Sequence, residues 1–311
     1  SDYVFVERFR RQTKRYQNAM DFALKVFKDL PEKISIPTKC QPSLINKVHF
    51  NTLHTELDSL LMNKVLEISS HTSGICLNSL LMACYFKLMN LWSGQNDLII
   101  NMPVFNREQH LPNAKNIIGS FLDIFPVRIQ TSPQEPIVSI ARKIEQFVRT
   151  MLEYPISSIE LSRKIAEQEG LKQSSLSAII FSNSINMLPK GISHSSRYLT
   201  IGAPKVQTGA PGTYIDLVMY TWENKWCFDW NYVRELFDAE YIQLLSEQFT
   251  SMLNQLVDDT NTKGYEERSC SNILPLFYIK LLEQTNKTEH AYPLKTIYEQ
   301  ISNLSLIHIS E

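Results

Sequence analysis

The stretch that most limits the choice of fold is residues 209–232, GAPGTYIDLVMYTWENKWCFDWNY. Small or polar residues alternate with apolar ones through its first half, and aromatic residues recur at strand spacing from Trp226 to Trp230. Glu223-Asn224-Lys225 supplies a polar turn between the halves, so the pattern predicts a β-hairpin. Pro211-Gly212 sets a tight entry to it. With a side-chain period of two, Asp216 shares a face with Tyr214 and Val218, while Ile215 and Leu217 face the other way. One carboxylate in so apolar a strand is costly unless it is paired, exposed or used. The residues alone leave two readings of Asp216, a strand acid satisfied by a neighbouring donor and a functional acid.

Composition narrows the partners. A chain of 311 residues, 43% hydrophobic and 20% charged, can bury a sizeable core, and length alone suggests about two domains. A formal net charge of −1 offers no general attraction to nucleic acid or anionic lipid. The basic cluster Arg8, Arg10, Arg11, Lys14 and Arg15 is interleaved with Phe9 and Tyr16 at helical spacing, which predicts a solvated helix face. Five cysteines, odd in number and without a CxxC pair, fit free thiols in a reducing cytoplasm. The seven histidines include no HExxH or HxxxH pair, so their spacing predicts no metal site. No apolar run approaches the ~20 residues that span a bilayer, and the opening SDYVFVERF lacks the features of a signal peptide. A start without Met is expected for a piece of a longer chain.

Taken in order, residues 1–30 predict one helix of mixed polarity, blocked at Pro31. Prolines 31, 37 and 42 make 31–44 an extended linker over a surface. Leu57, Leu60, Leu61, Val65 and Ile68 fall on one helical stripe. The next helix, 78–92, is apolar on more than one face and is expected to be buried against a sheet, with Cys76 and Cys84 in the core. Residues 98–103 and 124–130 read as strands, the latter carrying Arg128, and 101–121 as an irregular loop of the kind that often carries function. Ile137, Ile140, Ala141, Ile144, Val148 and Met151 form an amphipathic stripe. Ser157-Ser158-Ile159-Glu160 has capping-box spacing for a short helix stopped by Gly170. Residues 178–181 read as a short buried strand capped by Ser182-Asn183-Ser184. After the hairpin, Asp238 reads as the N-cap of a helix with Ile242, Leu245, Phe249, Met252, Leu253 and Leu256 on one face. Strands alternating with helices give an α/β layer structure. The polar run 258–271 is the best boundary.

Six pieces carry a resemblance: SLLMACYFKLMNLWSG (79–94), INMPVFNR (100–107), IIGSF (117–121), IIFSNS (179–184), TYIDLVMY (213–220) and FDWNYVRELF (228–237). In this order and spacing the chain resembles, over roughly 5–257, the C-terminal lobe of the condensation-type domains of nonribosomal peptide synthetases, and more narrowly their heterocyclization branch. Beyond 271, LLEQTNKTEHAYPLKTIYEQ (281–300) looks like the lead-in to an adenylation domain. The division implied is a lobe-connecting helix and linker at 1–44, the C-terminal lobe at 45–257, a linker at 258–271 and the adenylation lead-in at 272–303. The tail 304–311, LSLIHISE, looks like translated adapter sequence and is expected to be artefactual.

The resemblance implies a chloramphenicol-acetyltransferase-like fold, a mixed sheet covered by helices, in which two lobes face each other across a tunnel. It implies that carrier-borne substrates arrive on phosphopantetheine arms, with no cofactor bound directly. Expected partners are the upstream and downstream peptidyl carrier domains, the adenylation domain and the N-terminal lobe, with no nucleic acid and no membrane. The reaction implied joins an acyl thioester to carrier-bound Cys, Ser or Thr and then cyclodehydrates the product to a thiazoline or oxazoline. The family's strand aspartate, which moves protons in the second step, matches Asp216, and its hydroxyl partner, usually Thr, matches Ser182. Asn101 and Arg107 match positions in the loop, and Asn183 follows Ser182; all three are expected to position substrate.

Two departures bear on that chemistry. Ala210-Pro211-Gly212 stands where the family has Thr-Pro-Gln, and Phe121-Leu122-Asp123 where it has Phe-Thr-Ser. Neither the HHxxxDG of condensation domains nor the DxxxxD of heterocyclization domains occurs ahead of the matching region, so the chain is expected to be inactive alone. An ordinary amide-forming condensation domain and a noncatalytic carrier-docking lobe remain the alternatives.

Overall fold

The computed structural model describes residues 2–105, 116, 118, 121–153, 156–170, 175–185, 212–223 and 225–262. All of these lie in the first of two compact units, Ser1–Pro275. The adenylation lead-in and the tail at 304–311 fall outside the described residues.

The alternating pattern of the hairpin becomes the centre of a mixed sheet. Its strands are β1 (Phe50–Leu57), β2 (Asp97–Phe105), β3 (Leu122–Gln130), β4 (Ile179–Asn183), β5 (Ile215–Trp222) and β6 (Lys225–Val233), in the order β1-β6-β5-β4-β2-β3. β4 runs parallel to both β2 and β5, and the other pairs are antiparallel. Because side chains alternate along each strand, register sorts the sheet into two faces. Leu53, Trp230, Leu217 and Phe181 line up across four strands on one face. His54, Asp229, Val218 and Ser182 line up on the other.

Helices cover the first face. α4 (Leu77–Ser93) is buried nearly all round, as apolar residues on more than one of its faces require. Its Tyr85 ring lies 5.6 Å from that of Phe181 and 5.9 Å from that of Trp230. α5 (Ile137–Glu153) lies beside α4 and against β3. α7 (Ala239–Thr262) places Phe249 5.6 Å from Phe228, and its Gln248 Oε1 accepts from Trp92 Nε1 at 2.6 Å. The cation inside α4, Lys87, is buried but donates to the carbonyl oxygens of Ser132, Pro133 and Glu135. Those acceptors offset its loss of water. α6 (Ser158–Glu169) begins as its capping box predicts, with Ser157 Oγ accepting from Glu160 N at 3.1 Å, and ends at Gly170 with φ 65°.

Several expectations are corrected. The single helix over 1–30 is two, α1 (Asp2–Gln12) and α2 (Lys14–Val26), because Thr13 Oγ1 accepts from Tyr16 N and starts a new helix. Of the basic cluster, Arg8, Arg11, Lys14 and Arg15 are exposed, as a solvated face requires, whereas Arg10 is half-buried; Arg10 and Arg11 both pair with Glu160 of α6. Leu57 ends β1 and α3 (Ser59–His71) starts beyond it, leaving Leu60 exposed. The expected core residue Cys76 is exposed and is the N-cap of α4. Ser182 and Asn183 belong to β4 itself; Ser184 follows it and donates to Met219 O at 3.0 Å. Asp238 does precede α7, but its carboxylate accepts from Lys39 Nζ at 2.9 Å. α7 runs five residues into the stretch expected as linker, to Thr262.

Candidate functional site

Parallel pairing of β4 with β5 sets Ile180 beside Asp216 and Ser182 beside Val218. Ser182 and Asp216 therefore share the face turned away from α4 and α7, one diagonal step apart, and Ser182 Oγ donates to Asp216 Oδ1 at 2.9 Å. Asp216 is 1% exposed and Ser182 is half-buried, so the hydroxyl is the more open member of the pair. A carboxylate held by a neutral hydroxyl keeps lone pairs with which to take up or return a proton. Through the sheet, the Tyr85 hydroxyl is pushed well above the usual phenol range by burial and then by the charge of Asp216.

Asn231 stands opposite Asp216 in the β5–β6 register. Its Oδ1 accepts from Thr52 Oγ1 at 2.6 Å, while its buried Nδ2 has no hydrogen-bond partner among the described residues. Sequence reasoning did not single it out, since only register brings it there.

The structure treats the other expected site residues differently. Asn101, expected in a loop, lies inside β2 opposite Ile180, so it sits on the Asp216 face two strands over, ~10 Å away. Its Oδ1 accepts from Ser158 Oγ at 3.1 Å and its Nδ2 donates to Ser177 O at 3.2 Å. It fastens the start of α6 and the approach to β4 onto the sheet. Asn183 points to the opposite face, where its Nδ2 donates to Asn78 Oδ1 at 3.1 Å, and it is not brought to the pair. Arg107 lies outside the described residues, as do Ala210 and Pro211. Gly212 lies in the turn three residues ahead of β5 with φ 80°, and a Cβ there would meet the Ser175 side chain at 3.2 Å.

A second polar group occupies the same face nearer the β1 edge. His54 Nδ1 lies 2.6 Å from Asp229 Oδ1, and Tyr220 Oη donates to Asp229 Oδ2 at 3.1 Å. Lys225 Nζ donates to Glu56 Oε2 at 2.6 Å. Burial, followed by the charge of Glu56 and Asp229, pushes the Cys227 thiol up to about 11. No sequence signal marked this cluster, because β1 and β6 are far apart in the chain. No helix among the described residues is long and apolar enough to cross a membrane.

The fold and the paired hydroxyl and carboxylate define an α/β protein with a buried acid on the face of a mixed sheet opposite α4 and α7. The chain belongs to the condensation-domain family of nonribosomal peptide synthetases: the family profile described as condensation domain matches residues 1–272. It is 25% identical over 304 residues to bacitracin synthase 1 of Bacillus licheniformis, covering 96% of this chain and 6% of that protein. It is 24% identical over 211 residues to pyochelin synthetase PchF of Pseudomonas aeruginosa, covering 66% of this chain and 12% of that protein. Among solved structures, the cyclization-docking bidomain of EpoB from Sorangium cellulosum superposes with a TM-score of 0.69 at 19% identity, over 83% of this chain and 52% of that one. The X-domain from teicoplanin biosynthesis does so with a TM-score of 0.68 at 15% identity, over 82% and 58%. The chain thus spans about half of each structural neighbour and a small part of each synthetase.

Proposed function

We propose that the chain is the C-terminal lobe of a heterocyclization domain, in which Asp216 moves protons during ring closure and Ser182 positions it. The observation that carries this reading is the 2.9 Å bond from Ser182 Oγ to Asp216 Oδ1 on the face of the sheet opposite α4 and α7. Likeness to a pyochelin synthetase and to a cyclization bidomain supports it. After amide formation, the Cys, Ser or Thr side chain adds to the new carbonyl carbon, the C=O π bond opens, and the side-chain proton passes to the former carbonyl oxygen to make it a hydroxyl. Asp216 accepts the amide N–H proton and delivers a proton to the departing hydroxyl, so that water leaves and the C=N bond of the ring forms. The substrates reach the site on phosphopantetheine of flanking carrier domains, and an adenylation domain follows in the same chain.

In the intact synthetase, Asp216→Asn is expected to lower ring formation about 100-fold or more while the linear amide still forms. Mass spectrometry separates the two products by one water. Undiminished ring formation overturns the role of Asp216. A second reading, amide formation with Asp216 as a structural acid, is favoured by its near-complete burial. A wild-type product that retains its water would decide for that reading.

A further inference from the structure

We propose that His54, Glu56 and Cys227 form a binding site for a zinc-class divalent cation at the β1–β6 edge of the sheet. His54 and Glu56 stand two apart on β1, so the pleat turns both to the same face. Cys227 lies directly opposite Glu56 in the register. Their nitrogen, oxygen and sulfur ligand atoms all lie within 4.8 Å of one another. Zinc holds this mixed donor set at ~2.0–2.3 Å, which sets neighbouring ligand atoms roughly 3.3–3.8 Å apart. Closing the remaining ~1 Å falls to His54 and Glu56, whose side chains are 46% and 44% exposed and have room to turn. Cys227 is buried and fixes the inner corner.

The contacts behind the ligands carry the argument further. A carboxylate only accepts, so the 2.6 Å contact to Asp229 makes His54 Nδ1 the donor and leaves the Nε2 lone pair for a metal. That Nε2 faces Glu56 Oε1 at 3.8 Å. Tyr220 holds the second oxygen of Asp229, so the acid behind the histidine is itself fixed. Such an outer carboxylate is what metal-bound histidines use to set tautomer and ring orientation.

Two occupants must give way. Lys225 leaves Glu56 for solvent, a small loss because exposed ion pairs contribute little. The Cys227 thiol releases its proton to water as the sulfur–metal bond forms, so binding liberates one proton. Cation, thiolate and carboxylate then sum to zero charge, and a fourth position stays open to water.

The test is a Co²⁺ titration of the whole purified chain, read by the near-ultraviolet thiolate-to-cobalt charge-transfer band. One equivalent is expected to bind, Zn²⁺ to displace it, and Cys227→Ser to abolish the band. Cys76→Ser, which removes an exposed thiol elsewhere, is expected to leave it unchanged. Asp229→Asn is expected to weaken binding about 10- to 100-fold. As a control against misfolding of the cysteine variant, Zn²⁺ should raise Tm in the wild type and not in the exposed-site variant Glu56→Gln. Absence of the band, its survival in Cys227→Ser, or an equal Tm rise in Glu56→Gln overturns the site.

Discussion

Asp216 is a buried acid whose described hydroxyl donor is Ser182, and that makes Ser182 testable without any substrate. Ser182→Ala is expected to destabilise the chain by about 1–3 kcal/mol, the cost of taking a donor from a buried polar group. Ser182→Thr keeps the hydroxyl, adds a side chain suited to a strand, and should hold wild-type stability. Urea unfolding of the three proteins checks this, and an alanine variant as stable as wild type would mean that Asp216 does not depend on Ser182. Tyr85 works the other way. Its buried hydroxyl has no hydrogen-bond partner among the described residues, so Tyr85→Phe is expected to stabilise by about 1 kcal/mol and raise Tm. Asp216 stood out in the sequence because an acid interrupts an apolar alternation. Asn231 and Tyr85 did not, because what makes them notable is an unmet hydrogen bond that only the packed sheet creates.

Among the elements, legibility followed burial. α4, α5, α6 and the hairpin carry strong periodicities or capping signals because each turns an apolar face to the core. β1 was missed because FNTLHTEL is an edge strand with mostly exposed or half-exposed residues and no apolar run. The break between α1 and α2 was missed because a single threonine hydroxyl makes it. α4 has a further support that no periodicity shows: Glu145 of α5 accepts from Ser79 Oγ at 2.7 Å and from Cys76 N at 3.3 Å at its N-terminus. Burial alone would raise the Glu145 carboxyl, but the bonds from Ser79, Cys76 and Arg149 outweigh it and hold the group at about 2. A pKa depressed below the ordinary 4.5 gives stability that is present above 4.5 and is lost as pH falls toward 2. The urea midpoint is therefore expected to drop across that window in the wild type and to drop less in Glu145→Gln, where the titrating group is gone. Equal slopes would show that Glu145 does not contribute to the acid sensitivity.

At the scale of the molecule, the sheet is closed by pairings that local pattern cannot specify. β1 meets β6 across 169 to 183 residues of chain, and β4 enters between β2 and β5 by parallel pairing. This topology leaves one face of the sheet to α4 and α7 and turns Ser182, Asp216, Asn231 and the His54 cluster to the other, where the start of α6 is fastened through Asn101. On the proposed reading, a carrier-bound acyl group and a carrier-bound amine are held together over that polar face for transfer, and a single wall would position neither against the other. The chain covers 52% of the cyclization-docking bidomain and 58% of the X-domain, which leaves the rest of each neighbour without a counterpart here. The 311-residue chain, offered both carrier-bound substrates, is accordingly expected to release no amide and no ring, while the intact synthetase releases product under the same conditions. Single-turnover assays with mass spectrometry of the carrier-bound species make the comparison at the level of each step. On the proposed two-lobe reading, carrier binding by the isolated chain without transfer is the expected pattern, because transfer would need both walls. Product formed by the isolated chain at the intact rate would mean that this one lobe holds the whole catalytic apparatus, and the two-lobe account of the site would then fail.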